Sequence, residues 1–457
     1  MRRCASIFTG LLILMATAAW AQTEERVPPA TTPFAVPGNG PDPDADRMTV
    51  PPPVSGLALP VVLGSQERSN YLRGGVAFMS AYTDNAVEGS GGKPLSDVSY
   101  SVAPFVSMDQ TTTREHLVLT YAPGYTFYQR FSNMNLGDQN ASVRFAYRLS
   151  PHLTFSAGDV FQKTSSVFNQ PYSDTTGTVN TGPALPNFSI IAPIASELNN
   201  VGNVGLAYQF ALNDMVGANG TFTNLHYPNP SQVPGLFDSS SQAGMAFWAH
   251  RLSRRQYIGA TYQYQRLLAY PTQGVTETQT HAPLLFYSAY PAKDITLSVF
   301  GGPQYSETTE PSIQASLKQW TPAGGASLRW QGHLTSVALS YVHIISGSAG
   351  LAAPVKLDSG TASVSQQIMK SLTASVSGGY AQNDAVGNIS PSLETLNGHS
   401  VMGTASMQKQ FGRNVSLLLG YTRVHQDYPD VPVLASTPNT NRESISVSYH
   451  FDRALGR

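Results

Sequence analysis

The chain has 457 residues and a formal net charge of −1, and 12% of its residues are charged, against about 25% in ordinary globular domains. The near-neutral balance gives no support for nucleic-acid binding. The single cysteine, Cys4, precedes the first apolar run, so we expect an exported chain with no disulfide and no cysteine-based metal site.

The N-terminal segment has the three parts of a secretory signal peptide. Arg2 and Arg3 precede the apolar run 7–16, and the sequence Ala19-Trp20-Ala21 matches the small-x-small cleavage rule. The apolar run is too short to cross a bilayer as a helix. Residues 1–21 are therefore predicted to be cleaved, and the alternative is a retained N-terminal helix.

A proline-dense stretch with few apolar residues follows at 22–60. Such a segment buries too little surface to offset its ordering entropy, so we predict a disordered periplasmic tether. Its alternating aspartates imitate the start of a calcium loop, but Arg47 and Pro53 stand where that loop needs Gly and Glu. We expect no metal site here.

From residue 61 onward apolar and small polar residues alternate, as in Leu117, Leu119 and Tyr121. A period of two indicates β-strands with unlike faces. Eight short turns and nine longer polar loops can be placed between such segments, which predicts about 18 strands. The short turns are predicted at 109–111, 150–152, 213–214, 253–254, 292–294, 331–333, 369–371 and 412–414. Low charge, abundant aromatic residues and the lack of a long apolar run favour a transmembrane barrel. The alternatives are an all-β solenoid and a pair of β-sandwiches.

The last predicted strand, 442–451, reads RESISVSYHF and has one apolar and one hydroxyl-rich face. It resembles the C-terminal strand of bacterial outer-membrane β-barrels. The resemblance implies that this strand pairs with the first, that Tyr449 and Phe451 form the signal read by the barrel-insertion machinery, and that the chain lies in the outer membrane. That family usually ends on the aromatic residue, so we interpret residues 452–457 as a dispensable tail.

The predicted fold is therefore all-β, a transmembrane antiparallel up-and-down barrel of about 18 strands over residues 61–457, preceded by the disordered segment. Both barrel termini lie on the short-turn side, which faces the periplasm in outer-membrane barrels. Because the outward face of the predicted barrel is apolar, we expect it to contact the lipid of the outer membrane.

Strand phase places a few basic residues inside the predicted lumen. The candidates are Arg73, His116, Arg144, Arg148 and Arg329. Inward arginines in a wall of low charge favour anionic or polar solutes. The alternative is that they pair with loop carboxylates and hold loops in place.

The longest predicted loop, 168–198, is the third on the long-loop side. In general porins, which this arrangement resembles, the third long loop folds into the lumen and narrows it. We expect either such a constriction or a simple surface flap.

No linear motif for catalysis, phosphate binding or metal ligation is present, so we predict no enzyme and no cofactor. The leading hypothesis is an outer-membrane channel for small polar or anionic solutes. The alternatives are an exopolysaccharide secretion barrel, with periplasmic export partners bound through residues 22–60, and a non-conducting surface scaffold or barrel enzyme.

Overall fold

The computed structural model describes most of the region that the sequence assigns to the barrel. The described residues are 70–88, 94–132, 135–164, 172–173, 179–180, 196–271, 274–310, 315–346, 351, 353–386, 397–429, 431 and 439–455. The predicted signal peptide and tether, residues 1–21 and 22–60, lie outside them. Among the described residues, no helix is long and apolar enough to cross a membrane.

The described residues form twenty strands and one short 3₁₀ helix, Pro230–Gln232. The strands are β1 (Tyr71–Glu88), β2 (Pro94–Thr111), β3 (Glu115–Tyr128), β4 (Leu136–Arg148), β5 (Leu153–Thr164), β6 (Tyr172–Ser173), β7 (Val179–Asn180), β8 (Glu197–Ala211), β9 (Asp214–His226), β10 (Ser239–Ser253), β11 (Gln256–Ala269), β12 (Thr276–Ala292), β13 (Ile295–Glu310), β14 (Ala315–Gln331), β15 (Thr335–Ser346), β16 (Val355–Met369), β17 (Leu372–Ala385), β18 (Gly398–Phe411), β19 (Val415–Asp427) and β20 (Asn439–Ala454).

Eighteen of these strands form one closed antiparallel barrel, which confirms the predicted fold class and strand number. Each strand pairs with the next along the chain, and β5 pairs directly with β8. The two-residue strands β6 and β7 pair only with each other, inside the long β5–β8 connection. The barrel closes where β1 pairs with β20, from Tyr71↔Ala454 to Thr83↔Arg442. Closure leaves no open sheet edge at this seam.

The eight short connections lie at one end of the barrel, and their positions follow the sequence prediction with one exception. The first short turn is predicted at 109–111, but β2 continues to Thr111 and the turn occupies 112–114. Asp109 pairs with Tyr71 of β1. This pairing keeps β2 in strand conformation at residues whose sequence is typical of a turn. At the last short turn, Gly412 has a φ of 64°, a conformation that favours glycine.

The outward face of the barrel wall is apolar and rich in aromatic residues. Exposed outward side chains include Phe78, Tyr121, Phe127, Leu206, Tyr208, Trp248, Tyr262, Trp320, Tyr380 and Tyr449. A continuous apolar outer surface of this extent is stable in lipid and not in water. The wall therefore has the outer surface of a transmembrane barrel.

The inward face carries small hydroxyl side chains that bond to each other across neighbouring strands. Such pairs are Ser107–Thr120, Thr278–Thr308, Ser288–Ser298, Ser340–Thr361, Ser375–Ser406 and Ser416–Ser448. Cross-strand hydroxyl pairs stabilise a sheet modestly, by about 0.2–1 kcal/mol each. The side chains that line the interior are therefore polar and small.

The last strand is longer than predicted, because β20 ends at Ala454. The prediction that residues 452–454 belong to a tail is therefore wrong. Near this end, Gly74 of β1 faces Phe451 so closely that a Cβ at position 74 would lie 2.7 Å from the phenyl ring. Glycine thus allows the final aromatic side chain to lie flat against β1.

Candidate functional site: the lumen and its covered mouth

Charged side chains of the inner wall concentrate in the sector formed by β20 and β1–β5. They are Arg73, Asp97, Asp109, His116, Asp138, Arg144, Arg148, Arg442, His450 and Asp452. On the inward positions of β8–β19 whose side chains the structure describes, the charged residues are Glu197, Arg251 and Arg329. The rest of that sector is lined by hydroxyl, amide, glycine and alanine residues. The lumen therefore has a charged side and a largely neutral side.

Arg73, a predicted lumen residue, lies at the closing seam. It is the register partner of Asp452, and its Nε lies 3.3 Å from Asp452 Oδ1. The Arg73 side chain is 7% exposed, whereas that of Asp452 is 46% exposed. Arg73 therefore joins the first and last strands, and its partner is a strand residue rather than the loop carboxylate of the alternative prediction.

His116 forms a similar local pair. Its Nε2 lies 3.3 Å from Asp109 Oδ1, and the two residues belong to neighbouring strands near the short-turn end. The imidazole is half exposed. This ring can contact a solute in the lumen while Asp109 holds its orientation.

Arg144 and Arg148 lie on the inward phase of β4, between the outward residues Val143, Phe145 and Tyr147. Four residues along a strand span about 13 Å. The two guanidinium groups therefore lie at different depths of the charged sector, one near mid-strand and one at the short-turn end.

Arg329 lies on the opposite, neutral side. It pairs in register with Thr296 of β13 and Ala338 of β15, near the short-turn end. The structure therefore does not bring all five sequence candidates into one cluster. Arg73, His116, Arg144 and Arg148 share one sector, and Arg329 lies across the lumen from it.

At the other end of the barrel, the β15–β16 hairpin bends into the lumen. The amide of Ile345 donates to Gln304 Oε1 at 3.1 Å, and Gln304 is an inward residue of β13. Ile344 packs with Ala282, Leu284 and Ala323. These three are also inward residues of the wall, so the end of β15 lies inside the barrel.

Three long loops meet over the mouth in one apolar group, which we call the mouth cluster. Its members are Tyr227, Val233 and Leu236 of the β9–β10 loop, Leu351, Ala353 and Val355 at the β15–β16 hairpin, and Tyr428 and Val431 of the β19–β20 loop. Each is at most 5% exposed. Because these strands are separated around the barrel, the cluster extends across the opening and covers part of it.

Polar contacts fix the loops that form the mouth cluster. Asp238 accepts the amide of Tyr227 at 2.9 Å, and its other oxygen lies 2.6 Å from His226 Nδ1. Asn383 Nδ2 donates to the hydroxyl of Tyr428 at 2.8 Å. Burial raises the pKa of Tyr428, and burial together with the charges of Glu197 and Asp238 raises the pKa of Tyr227. Both phenols therefore stay neutral.

The predicted constriction by loop 168–198 falls largely outside the described residues. The constriction that the structure describes comes from the β15–β16 hairpin, which was not predicted from the sequence. One signal was available: Ile344, Ile345 and Leu351 are bulky apolar residues next to a loop, and loop residues of this type need a partner surface.

Tyr449 and Phe451, the predicted insertion signal, are outward residues of β20. Their side chains are about half exposed, and they pair in register with Val76 and Gly74 of β1. Their recognition by the insertion machinery stays a prediction. Among the described residues, no group of three or more His, Cys, Asp or Glu side chains could hold a metal ion.

Comparisons with known proteins give fold-level similarity. No family model matches the chain, and a search of curated proteins finds no match. Among solved structures, the chain is similar to Pseudomonas aeruginosa OpdK with vanillate (9% identity, 84% of this chain and 99% of that chain, TM-score 0.40). It is also similar to P. aeruginosa OccK2 (OpdF) in complex with glucuronate (10% identity, 84% of this chain and 98% of that chain, TM-score 0.43). A third similar structure is Acinetobacter baumannii OccAB4 (10% identity, 84% of this chain and 99% of that chain, TM-score 0.42).

Proposed function

We propose that the protein is a channel of the bacterial outer membrane that passes small polar or anionic solutes. The observation that carries the proposal is the contrast between the two faces of one closed 18-stranded wall. Its outer face is apolar and aromatic, and its inner face is hydroxyl-lined and partly basic. Barrels of 16–18 strands are wide enough to leave an aqueous channel.

The preference for anions rests on the inner-wall arginines. Arg144 and Arg148 face the lumen from one strand, and Arg329 faces it from the other side. A basic group in a narrow aqueous path lowers the barrier for anions and raises it for cations. The mouth cluster narrows the path at the long-loop end and selects for small solutes.

Ion selectivity in planar bilayers tests this proposal. Arg144→Glu combined with Arg148→Glu should reduce the anion preference of the conductance or reverse it. The matched control is Lys293→Glu with Arg413→Glu, which makes the same change of charge at two exposed positions in short turns. The control should keep the wild-type selectivity. Equal effects of the two double variants would contradict a role for the β4 arginines.

A secretion barrel for a polysaccharide is a second candidate, and the neutral sector of the lumen favours it. Hydroxyl and amide groups that line β8–β19 match the hydrogen-bonding surface of a neutral sugar polymer. Under this proposal the periplasmic export partners bind residues 22–60. The test is export in cells: deletion of 22–60 should abolish polymer secretion while leaving conductance of the purified barrel unchanged.

A further inference from the structure

Arg329 differs from the other predicted lumen arginines in having no polar partner among the described residues. Arg73, Arg144 and Arg148 each contact a partner group. In the part of the chain that the structure describes, no residue forms a hydrogen bond or an ion pair with Arg329, whose side chain is partly exposed on the inward face of β14. A guanidinium with free N–H groups is a strong donor to an anionic group. Arg329 is therefore available to a solute in the lumen.

A row of serine side chains crosses the inner wall one inward position closer to the long-loop end than Arg329. Its members are register partners on β12–β15, namely Ser288, Ser298, Ser327 and Ser340. Ser288 and Ser298 are buried and bond to each other at 2.9 Å, whereas Ser327 and Ser340 are exposed. Because an inward side chain is exposed only where the lumen reaches it, solutes can approach the wall at Ser327 and Ser340.

Within the hydroxyl-lined side, the next inward row toward the long-loop end is apolar. It consists of Phe286, Phe300, Gly325 and Val342. A Cβ at Gly325 would lie 2.6 Å from the phenyl ring of Phe300, so this ring lies across β14 and occupies the place of the side chain that Gly325 lacks. Phe300 and Val342 are partly exposed, and they pack against the cluster that contains Ile344. The inward end of β15 therefore covers the row from the long-loop side, while part of both side chains still faces the lumen.

These groups form one amphipathic surface on the inner wall, which we call the Arg329 site. Its members are Arg329, Ser327, Ser340, Phe300 and Val342. From Arg329 to Gly325 the strand rises by four residues, which corresponds to about 13 Å between Cα atoms. The flexible methylene stem of the arginine can cover part of this span. A single small molecule can therefore touch the guanidinium with one end and the phenyl ring with the other.

We propose that the Arg329 site binds an organic anion that carries a flat apolar ring. The guanidinium holds the anionic group, Ser327 and Ser340 bond to polar substituents, and the Phe300 ring stacks with the ring of the solute. An inorganic anion would leave the apolar row without a contact, and a neutral apolar molecule would leave the guanidinium without one. The inference rests on the proposed function as a channel for anions and deepens it by naming a class of solute.

Calorimetric titration of the folded barrel in detergent micelles with benzenesulfonate and with methanesulfonate tests the site. The two probes carry the same charged group and differ in the ring, and titrations into empty micelles give the background. Benzenesulfonate should bind about tenfold more tightly, because one face of its ring leaves water. Equal affinities for the two sulfonates, or no detectable binding of benzenesulfonate at millimolar concentration, would overturn the proposal.

Substitution of the arginine tests the charged end of the site. Arg329→Gln should weaken the binding of both sulfonates, since both depend on the guanidinium. The matched control is Lys293→Gln, which removes the same charge from the exposed β12–β13 turn at the same end of the barrel and should leave both affinities unchanged. Similar losses in the two variants would mean that net charge attracts the anions and that Arg329 forms no site.

Two further variants test the apolar end. Phe300→Ala should reduce the affinity for benzenesulfonate to that for methanesulfonate, and Val342→Thr, which keeps the shape of the side chain but adds a hydroxyl, should reduce the preference even if Phe300→Ala does not fold. The control is Phe105→Ala, which removes another inward phenylalanine, one whose ring lies on Gly75 of β1 in the same way. A preference that survives Val342→Thr unchanged, or that Phe105→Ala also abolishes, would show that the ring is not bound at this row.

The binding readout needs no conductance, so it separates this inference from the proposed function. A barrel that conducts anions but binds both sulfonates equally would contradict only the Arg329 site. A folded barrel that prefers benzenesulfonate but never conducts would contradict only the channel.

Discussion

At the scale of the residue, alternation along each strand decides which side chains meet lipid and which meet the lumen. Strand β19 shows this with two leucines of the same size. Leu419 lies on the outward phase with Tyr421, and Leu418 lies on the inward phase with Thr422. Position in the strand, rather than residue type, sets the environment of each side chain.

The two leucines give a matched test of the face assignment. Leu419→Arg should lower the free energy of unfolding in lipid vesicles by about 2–4 kcal/mol, because it places a charge in the bilayer interior. Leu418→Arg should cost much less, since its side chain enters the lumen. Urea titrations of the two variants provide the comparison, and equal costs would show that the faces are wrongly assigned.

The ion pair of Arg73 with Asp452 makes a second prediction about single residues. Asp452→Asn removes the charge beside a buried guanidinium and should lower the free energy of unfolding by about 1 kcal/mol, a modest value because Asp452 is half exposed. Arg453→Gln, on the outward phase of the same strand end, is the control and should have little effect. A neutral result for Asp452→Asn would mean that the pair contributes nothing to closure.

At the scale of the element, the regular strands were predictable and the bend of one hairpin was not. The alternation of apolar and polar residues within a segment predicts both the strand and the face on which each residue lies. The strand number and the inward phases of Arg144 and Arg329 therefore followed from local sequence. The inward turn of β15 depends on contacts of Ile344 and Ile345 with β12 and β13, which are distant in sequence. The length of β20 was missed for a similar reason, because Asp452 extends the strand only through its partner on β1.

The closing strand carries the element-scale prediction. Tyr449→Ser with Phe451→Ser removes two outward aromatic residues and should reduce the fraction of folded barrel in outer-membrane preparations. Heat-modifiable mobility on gels measures that fraction. Ser446→Ala with Ser448→Ala alters the inward face of the same strand and should leave folding nearly unchanged. Normal folding of the aromatic double variant would exclude a role for this outward stripe in insertion or closure.

At the scale of the whole molecule, the barrel combines a hydroxyl-lined interior with a mouth covered by three packed loops. The mouth cluster is closed by apolar contacts, and Leu351 at its centre is fully buried. A charge at that position cannot stay buried without a partner, so the loop that carries it should leave the cluster. Opening the mouth should widen the conducting path without altering the wall.

Conductance of single barrels in planar bilayers is the most direct test of the channel. The wild-type protein should show a steady conductance, and Leu351→Asp should increase it by opening the mouth cluster. Leu334→Asp, which makes the same change at an exposed position in a short turn, should keep the wild-type value. A folded barrel that conducts neither as wild type nor as the Leu351→Asp variant would contradict the account.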